Sequence, residues 1–358
     1  MPLPRVLIIS PASASANNGN WQTAWRWSRM LHPAYHTTIA QDWQGEPFDV
    51  MLALHAKRSA GPIARWAQAH GAAAHAPGLG VVLTGTDLYR DILTDASAQA
   101  SLVYAQRLVV LQERAPDALP PQHRSKARVI FQSVTPRKPL TKTGRHLRAV
   151  MVGHLRDEKS PQTLLAAARL LTHHPDILID HIGDALDTDL GRQAQACAAE
   201  CRQYRWLGGL PHGAARRRIQ NAHVLVHASR MEGGAHVLME AMCSGTPVLA
   251  SRIAGNVGML GADYAGYFEL GDAQGLADAL LRCRAAQQHP TADPIYSPFF
   301  SQLQAQCAQR APLFAPANEQ AALLQLVREL HQSGRTLCQT NSAIAVMLKS
   351  SFLDKNQG

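Results

Sequence analysis

Short apolar runs alternate with stretches of helical periodicity along most of the chain. This alternation is typical of repeated βα units that build a parallel sheet. The strands predicted in the first half are Val6–Ser10, Val50–Leu54, Val81–Thr84, Arg107–Leu111 and Val129–Phe131. Those predicted in the second half are Ala149–Gly153, Ile177–Ile182, Arg205–Leu207, Val224–Ala228, Pro247–Ala250 and Gly266–Glu269. Two such sets predict an α/β protein with two Rossmann-like domains whose parallel sheets face a central cleft.

A segment without periodicity separates the two sets of strands. Residues 135–144 are rich in Pro, Lys and Thr, which is typical of a linker. We therefore predict an N-terminal domain over residues 1–140 and a C-terminal domain over residues 145–312. Residues 313–332, periodic over Gln320–Leu330, are predicted to form a closing helix that can pack back on the N-terminal domain. The polar composition of residues 333–358 predicts an irregular or disordered tail.

Length and composition restrict the class of protein. The chain has 358 residues, of which 46% are hydrophobic and 17% charged, as expected for a globular protein of two domains. No run approaches the roughly 20 apolar residues of a membrane span, so no membrane partner is expected. The start, Met1–Ser10, is too short and too soon polar for a signal peptide. The six cysteines contain no CxxC pair, and we expect a reducing cytoplasm as the location.

The formal net charge of +9 raises the question of nucleic-acid binding. The basic residues are scattered, however, and no basic stripe is interleaved with aromatic residues. The longest cluster, Arg216–Arg218, lies in a helical segment and is interpreted as a solvated face. A protein that handles small anionic molecules explains the charge as well, so no nucleic-acid partner is expected.

The segment Ser229–Ser251 carries the strongest chemical signal. A predicted strand leads into Gly233 and Gly234, which allow a tight turn and a close approach to a ligand. A helix is predicted to begin near Ala235 and to end before Gly245, which suits a helix C-terminus. The free amides of such a helix start favour a diphosphate.

Two glutamates accompany this helix. Glu232 lies in the turn, beside the sugar that a diphosphate would carry, and Glu240 lies further along the helix. A carboxylate at the second position can accept two hydrogen bonds from a ribose diol. The alternative is a helix with two ordinary surface glutamates. Glycines, spacing and strand context together favour a sugar-nucleotide site.

A second loop with basic residues follows the first strand of the second domain. It contains His154, Arg156 and Lys159, and a helix is predicted after it, with Ser160 as N-cap and Pro161 at the first position. Arginine and lysine side chains there can neutralise phosphates. A basic βα loop is weak evidence alone, and its place directly after the linker strengthens it.

These two segments resemble the glycosyltransferase family 4 pattern on the fold called GT-B. That pattern pairs a Gly-Arg-Leu-x-x-x-Lys loop with a Glu-x7-Glu motif followed by Ala-Met-x-x-Gly-x-Pro-Val. The resemblance implies that Lys159 binds the donor diphosphate, that Glu232 holds the sugar and that Glu240 holds the ribose. His154 stands where the family has arginine, and we expect Arg156 to compensate.

The resemblance thus implies two sets of donor-side residues. The catalytic set is Glu232, Lys159 and Arg156. The donor-binding set is His154, Gly209, Leu210, Gly233, Gly234, Ala235, His236 and Glu240.

The first domain is expected to hold the acceptor, at loops that follow its strands. The candidate acceptor-binding residues are Asn18, Gly19, Asn20, His55, Lys57, Arg58, Thr86, Asp87 and Tyr89. The first three can present amides and side-chain dipoles to an anion, with a flexible loop capping a helix as an equal alternative. Most of the following Trp21, Trp25 and Trp27 group is interpreted as core.

One difference from many family 4 enzymes concerns the general base. They carry a histidine just before a Gly-Thr/Ser-Asp loop, and this chain has Thr84 there. A base that deprotonates a sugar hydroxyl is then missing at that position. A nucleophile already ionised at neutral pH needs no base, and Lys57 and Arg58 would hold such an anionic acceptor.

The chain is similar, more narrowly, to the selenosugar synthase family of bacterial selenoneine biosynthesis. The similarity rests on Asn18–Trp27, Leu54–Ala60, Gly85–Asp91 and Glu232–Val237, and it extends from the first strand to about Leu330. It implies transfer of a hexosyl unit, usually N-acetylglucosaminyl, from a UDP-sugar to selenophosphate with formation of a carbon–selenium bond. It also implies a functional link to an enzyme that produces selenophosphate.

Two other functions stay open. One is an ordinary family 4 transferase acting on a hydroxyl of a sugar, lipid or small molecule, with His55 as the base. The other is a nucleotide-sugar-binding protein without catalysis. Intact Glu232, Glu240 and Lys159 argue against the loss of catalysis.

Several further signals have plainer interpretations. Asp187-Thr188-Asp189 matches a metal-binding DxD motif, but a helix-capping role is favoured. No cluster has metal-ligand spacing, and no metal or other cofactor is expected to be obligatory. Cys197, Cys201 and Cys243 are interpreted as packing residues and His212 as a surface histidine in a loop.

Overall fold

The computed structural model describes residues 3–13, 19–288 and 297–332. Contacts within the chain divide it into two compact units. The first unit holds the described parts of residues 1–111, 116–130 and 319–358, and the second holds residues 112–115 and the described parts of 131–318. This division falls after Ile130, so residues 131–140 group with the second unit and not with the N-terminal domain that we predicted. Asn18 and the predicted tail, residues 333–358, lie outside the described residues.

The first unit contains a six-stranded parallel sheet. Its strands are β1 Arg5–Ile9, β2 His36–Ala40, β3 Val50–Leu54, β4 Leu79–Val82, β5 Arg107–Val110 and β6 Ala127–Val129. They lie in the order β2-β1-β3-β4-β5-β6. β2 was not predicted, because this edge strand is only partly buried and has no apolar run. β4 and β6 each begin two residues before the predicted strands.

Helices connect the strands of the first unit. They are α1 Gly19–Leu31, α2 Ala60–Ala69, α3 Ile92–Thr94 and α4 Ala96–Tyr104, and α3 continues a π-helical turn at Asp87–Asp91. A further helix, at 316–332, begins three residues later than predicted, because a 3₁₀ turn occupies Ala311–Phe314. Leu323, Val327 and Leu330 of this helix belong to the same buried cluster as Val6 and Leu52.

The three tryptophans near the start of α1 differ in their surroundings. Trp27 is fully buried, and its Nε1 donates a hydrogen bond to Glu319 Oε1 at 2.7 Å. Trp25 is 46% exposed. Trp21 is partly buried, so only one of the three is core and the interpretation of most of this group as core is wrong.

The second unit repeats the architecture. Its strands are β7 Leu147–Val152, β8 Ile177–Ile182, β9 Tyr204–Trp206, β10 Val224–His227, β11 Val248–Ser251 and β12 Tyr267–Phe268. Its helices are α5 Pro161–Leu170, α6 Thr188–Glu200, α7 His212–Asn221, α8 His236–Met242, α9 Ala254–Leu260, α10 Ala273–Gln288 and α11 Ser297–Arg310. Each strand overlaps a predicted one. The α/β prediction with two parallel sheets is confirmed.

The strand order locates the edge where a ligand site is expected in each sheet. The second sheet runs β12-β11-β10-β7-β8-β9, so the chain changes direction between β7 and β10. In the first sheet the change lies between β1 and β3. Ligands of open α/β sheets bind beyond the carboxyl ends of the strands at this switch point. The loops after β7 and β10, which carry the two predicted donor motifs, lie at that place.

The fold also decides the predictions for Asp187 and for the three cysteines. Asp187 caps α6, because its side chain accepts hydrogen bonds from the amides of Asp189 and Leu190. Cys197, Cys201 and Cys243 are buried free thiols. Among the described residues, no group of three His, Cys, Asp or Glu side chains is arranged to hold a metal ion. None of the helices in the described ranges has the length and apolar character needed to cross a membrane.

Candidate active site

The loops after β7 and β10 meet through an ion pair. Lys159 Nζ lies 2.5 Å from Glu232 Oε1, and only 16% and 12% of the two side chains are exposed. Lys159 and Glu232 lie 73 residues apart in the chain, and adjacent parallel strands bring them together. Two of the three predicted catalytic residues therefore form one charged pair.

A second connection holds the same two loops together. The amide of Arg230 donates to the carbonyl oxygen of Glu158 at 3.0 Å, and its guanidinium donates to Asp157 Oδ2 at 3.0 Å. Arg230 was not predicted as a site residue, because nothing in the local sequence distinguishes it from a surface arginine. These contacts fix the spacing of the loops that carry Lys159 and Glu232.

The turn that presents Lys159 differs in detail from the prediction. Asp157–Lys159 is a single 3₁₀ turn, and Pro161 is the first residue of α5 as predicted. Ser160 occupies the N-cap position, but its φ is +47° and its side chain makes no capping bond to the backbone. Its hydroxyl instead lies 3.1 Å from Thr163 Oγ1. Ser160 thus acts as the left-handed corner between the turn and the helix.

The helix after Glu232 matches its predicted bounds. α8 begins at His236, with Ala235 as N-cap, and ends at Met242. Gly245 has φ +69°, the left-handed conformation that favours glycine after a helix. Gly233 and Gly234 form the turn between Glu232 and the helix, so the predicted donor residues of this segment are contiguous in space.

The charge state of Glu232 follows from its neighbours. Burial alone would raise the pKa of this carboxyl, but Lys159 and His227 hold it well below its ordinary value. Burial lowers the pKa of His227, so its ring is neutral near pH 7. The pair Lys159–Glu232 therefore presents one positive and one negative group at neutral pH.

Glu240 also has a partner that the sequence did not indicate. Its buried Oε1 accepts a hydrogen bond from His212 Nε2 at 2.6 Å, and Arg216 Nε lies 3.6 Å from the same oxygen. His212 is exposed, as expected of a surface histidine, but it starts α7 and does not lie in a loop, and it binds Glu240. Arg216, which we placed on a solvated face, is only 12% exposed in its side chain and donates to the carbonyl oxygen of Thr135.

The other predicted donor residues lie on neighbouring loops. His154 Nδ1 accepts from the amide of Asp184 at 3.1 Å, and Asp184 Oδ1 accepts from the amide of Gly209 at 2.9 Å. Asp184 thus links the loop of His154 to the loop of Gly209 and Leu210. Because the Gly209 amide already donates its hydrogen bond to Asp184, it would have to leave this carboxylate to bind a donor. Arg156 Nε lies 3.9 Å from Glu158 Oε2, with about half of its side chain exposed.

In the first unit, His55 lies at the centre of the predicted acceptor residues. It is buried with φ +73°, its Nε2 lies 3.1 Å from Thr86 Oγ1, and Asp91 Oδ2 lies 3.8 Å from the same nitrogen. Burial lowers the pKa of His55 against the opposing effect of Asp87. A strained backbone at a buried neutral imidazole is characteristic of functional positions.

The remaining acceptor candidates divide into anchored and exposed groups. Asp87 is fully buried, and its carboxylate accepts hydrogen bonds from the amides of Ala56, Thr84 and Gly85. Lys57 is exposed and pairs with Asp95 at 2.8 Å. The others are the exposed Arg58, the partly buried Tyr89, and Gly19 and Asn20 at the start of α1. Asp87 therefore fixes the loops, and the charge of Lys57 is already balanced.

Comparison with known proteins agrees with this geometry. Residues 135–290 match the family model described as glycosyl transferases group 1. No curated protein matches the sequence significantly. The second unit is thus similar to a glycosyltransferase family over the part of the chain that contains Lys159, Glu232 and Glu240.

Three solved structures illustrate the similarity of fold. Sucrose-phosphate synthase from Thermosynechococcus elongatus has a TM-score of 0.70 at 16% identity, over 92% of this chain and 99% of that chain. HepE from Anabaena, in complex with UDP and glucose, has a TM-score of 0.67 at 14% identity, over 91% of this chain and 100% of that chain. A TarM mutant from S. aureus, in complex with fondaparinux, alpha-GlcNAc-glycerol and UDP, has a TM-score of 0.57 at 14% identity. This match covers 78% of this chain and 56% of TarM. The fold is that of GT-B glycosyltransferases.

Proposed function

We propose that the protein is a glycosyltransferase that moves a hexosyl unit from a UDP-sugar to selenophosphate. The adduct would carry selenium between the anomeric carbon and phosphorus, and water would then cleave the selenium–phosphorus bond, so that the products are UDP, phosphate and a sugar with a selenol on its anomeric carbon. N-acetylglucosamine is the sugar that the sequence resemblance favours. The observation that carries the donor half is the Lys159–Glu232 pair at the switch point of the second sheet.

The pair suits a sugar nucleotide for a physical reason. Lys159 can exchange Glu232 for the diphosphate of the donor, and its charge stabilises the negative charge that develops on departing UDP. Glu232, which stays ionised, can then accept hydrogen bonds from sugar hydroxyls or face the positive charge that develops at the anomeric carbon. Glu240 can accept the ribose hydroxyls once His212 yields part of its hydrogen bond.

The acceptor half rests mainly on the similarity to selenosugar synthases. Selenophosphate is a small polyanion whose selenium is ionised at neutral pH, so it needs no general base. Arg58 is the cation of the first unit best suited to it. Lys57 contributes only when Asp95 releases it, which makes Arg58 the more important of the two in this proposal.

One observation favours a second candidate, transfer to a hydroxyl acceptor. His55 is buried and neutral and hydrogen-bonds Thr86, as a general base needs before it takes a proton. In that case the acceptor would be a sugar, lipid or small molecule with a free hydroxyl, and His55 would remove its proton.

A single assay separates the candidates. UDP release from UDP-N-acetylglucosamine is measured with selenophosphate, with thiophosphate, with a set of hydroxyl acceptors and without acceptor, and the sugar product is followed by mass. Selenophosphate-dependent release of UDP with a selenium-containing hexosamine supports the proposal. Turnover only with hydroxyl acceptors, abolished in His55→Ala, supports the second candidate. Binding of UDP-sugars without any turnover contradicts both and leaves a binding protein.

A further inference from the structure

His227, the last residue of β10, is a buried polar residue beside Glu232 to which the proposed function assigns no role. It is 2% exposed, and its Nε2 has no hydrogen-bond partner within the described part of the chain. Buried polar atoms almost always have partners, so an unpartnered imidazole nitrogen requires an explanation. A leucine would fill a strand position of this kind without leaving such an atom.

The nearest charged group to this nitrogen is the carboxylate of Glu232. His227 Nε2 lies 3.4 Å from Glu232 Oε1, the oxygen that also accepts from Lys159. The separation lies within reach of a hydrogen bond, but its geometry is not that of a formed bond. The ring and the ammonium therefore converge on one oxygen, and neither contact uses Oε2.

The backbone around this contact is held firmly. Ser251 Oγ donates to the carbonyl oxygen of Ser229, and Asn256 Nδ2 donates to the carbonyl oxygen of Ser251 at 2.9 Å. A methyl group on Gly255 of α9 would collide with the carbonyl oxygen of Glu232. His227 and Glu232 consequently face each other across a short, rigid turn.

Donor binding would change the balance of charge at this point. Lys159 cannot fully neutralise both Glu232 and an incoming diphosphate, and a buried carboxylate without a partner is costly. A neutral imidazole can meet this need, because its Nε2–H can donate to Glu232 Oε1. Burial keeps His227 neutral, as this role requires.

We propose that His227 is a positioning residue, which donates Nε2–H to Glu232 and fixes that carboxylate when Lys159 turns to the donor diphosphate. This role rests on the proposed glycosyl transfer. Glu232 and Lys159 are the charged groups that face His227 among the described residues. His227 touches neither sugar nor diphosphate in this account and acts through Glu232.

The first test compares His227→Phe with His227→Gln, whose amide can still donate a hydrogen bond. For His227→Phe we expect kcat for UDP release to fall about 10- to 100-fold while the KM for the UDP-sugar changes less than about twofold. The acid limb of the kcat profile should move to higher pH, because Glu232 loses a donor and is more easily protonated. His227→Gln should recover most of kcat and the wild-type acid limb. Equal kcat and equal pH profiles in both variants would overturn the proposal.

The second test needs neither turnover nor a variant of His227. In the ¹⁵N spectrum of the labelled protein, His227 should be neutral and protonated on Nε2 between pH 6 and 8. Its Nε2 resonance should shift on addition of a UDP-sugar and in Glu232→Gln. A neutral ring protonated on Nδ1, or an Nε2 signal that does not respond, would contradict the pairing. A protein that releases no UDP with any acceptor would contradict the proposed function instead, whatever the tautomer.

Discussion

The two sheets use their switch-point loops in different ways. In the second unit, charges from two loops pair directly with each other, as Lys159 does with Glu232. In the first unit, Asp87 is bound by backbone amides and Lys57 by Asp95, so charge there mainly holds the loops in place. An ion pair between two side chains can exchange one partner for a ligand, whereas a carboxylate bound by three backbone amides cannot. The Lys159–Glu232 pair of the second unit can therefore change partners, whereas Asp87 of the first unit cannot.

Loss of the Lys159–Glu232 pair should have the largest effect. Glu232→Gln and Lys159→Met should each reduce kcat for UDP release by at least about 100-fold, since under the proposed function each removes a group that stabilises the transition state. Each single change should also lower the free energy of unfolding by about 3 kcal/mol, because it leaves a mostly buried charge unpaired. The double variant should be more stable than either single variant. Arg192→Ala, on an exposed pair of α6, is the control and should leave both quantities unchanged.

The pH dependence of stability tests the same pair. The folded-state pKa of Glu232 lies below its ordinary value of 4.5, so the stabilisation from the pair is fully present above pH 4.5. It should be lost as the pH falls toward the lowered pKa. Unfolding in urea should therefore show the difference between wild type and the double variant constant from pH 5 to 7 and shrinking below pH 4. If the difference in the free energy of unfolding between wild type and the double variant grew as the pH fell, the pair would not lose stabilisation in acid, and this prediction would be contradicted.

The contact between α9 and the Glu232 turn gives a smaller, more local effect. Gly255→Ala must displace the carbonyl of Glu232, and we expect kcat to fall about 10-fold with a modest loss of stability. Gly213→Ala in α7, where nothing crowds an added methyl group, is the matched control and should be neutral or slightly stabilising. Equal effects of the two changes on kcat would show that the Glu232 turn does not require its present backbone position.

The first unit offers a test of the anionic acceptor. Arg58→Ala should raise the KM for selenophosphate about 10-fold without changing the KM for the UDP-sugar, because a charge-assisted contact to the acceptor is lost. Lys57→Ala should raise it less, since Lys57 is already paired with Asp95. Arg65→Ala, whose side chain pairs with Asp42, serves as control. If the double variant Lys57→Ala with Arg58→Ala kept the wild-type KM for selenophosphate, the acceptor would not bind at these two residues.

The smallest expected effect concerns His212. The hydrogen bond to Glu240 raises the pKa of His212, so its stabilising contribution is present below the ordinary pKa of 6.5 and lost as pH rises through the raised folded value. The difference in melting temperature between wild type and His212→Gln should therefore be larger at pH 6 than at pH 9. His173→Gln, at an exposed histidine, should show no such change. If the difference in melting temperature between wild type and His212→Gln did not depend on pH, protonation of His212 would not strengthen its contact with Glu240.

The sequence predicted those features of the fold that depend on the local pattern of residues, namely the strands and the ends of a helix. The apolar runs predicted eleven of the twelve strands found in the described residues, and the glycines at 233, 234 and 245 predicted the bounds of α8. β2 was not predicted, because an edge strand is only partly buried and needs no continuous apolar run. The resemblance to a known motif, and not spacing alone, indicated that Lys159 and Glu232 belong to one site.

The partners of these residues could not be predicted in the same way. His212 and Glu240 lie 28 residues apart on different helices, and only the packing of α7 near α8 brings them together. His227 is hidden in an apolar run, where a histidine looks like an ordinary core residue. Arg230 acts through its backbone amide as well as its side chain. Such contacts join residues that lie far apart in the chain, and they leave no periodic pattern in a single sequence from which they could be predicted.

A crystal structure of the protein with UDP bound would test the central claim most directly. The account predicts the diphosphate beside Lys159, with Nζ moved away from Glu232 Oε1, the ribose hydroxyls on Glu240, and His227 Nε2 within hydrogen-bond distance of Glu232. A nucleotide bound away from the loops after β7 and β10, with the Lys159–Glu232 pair unchanged, would contradict it.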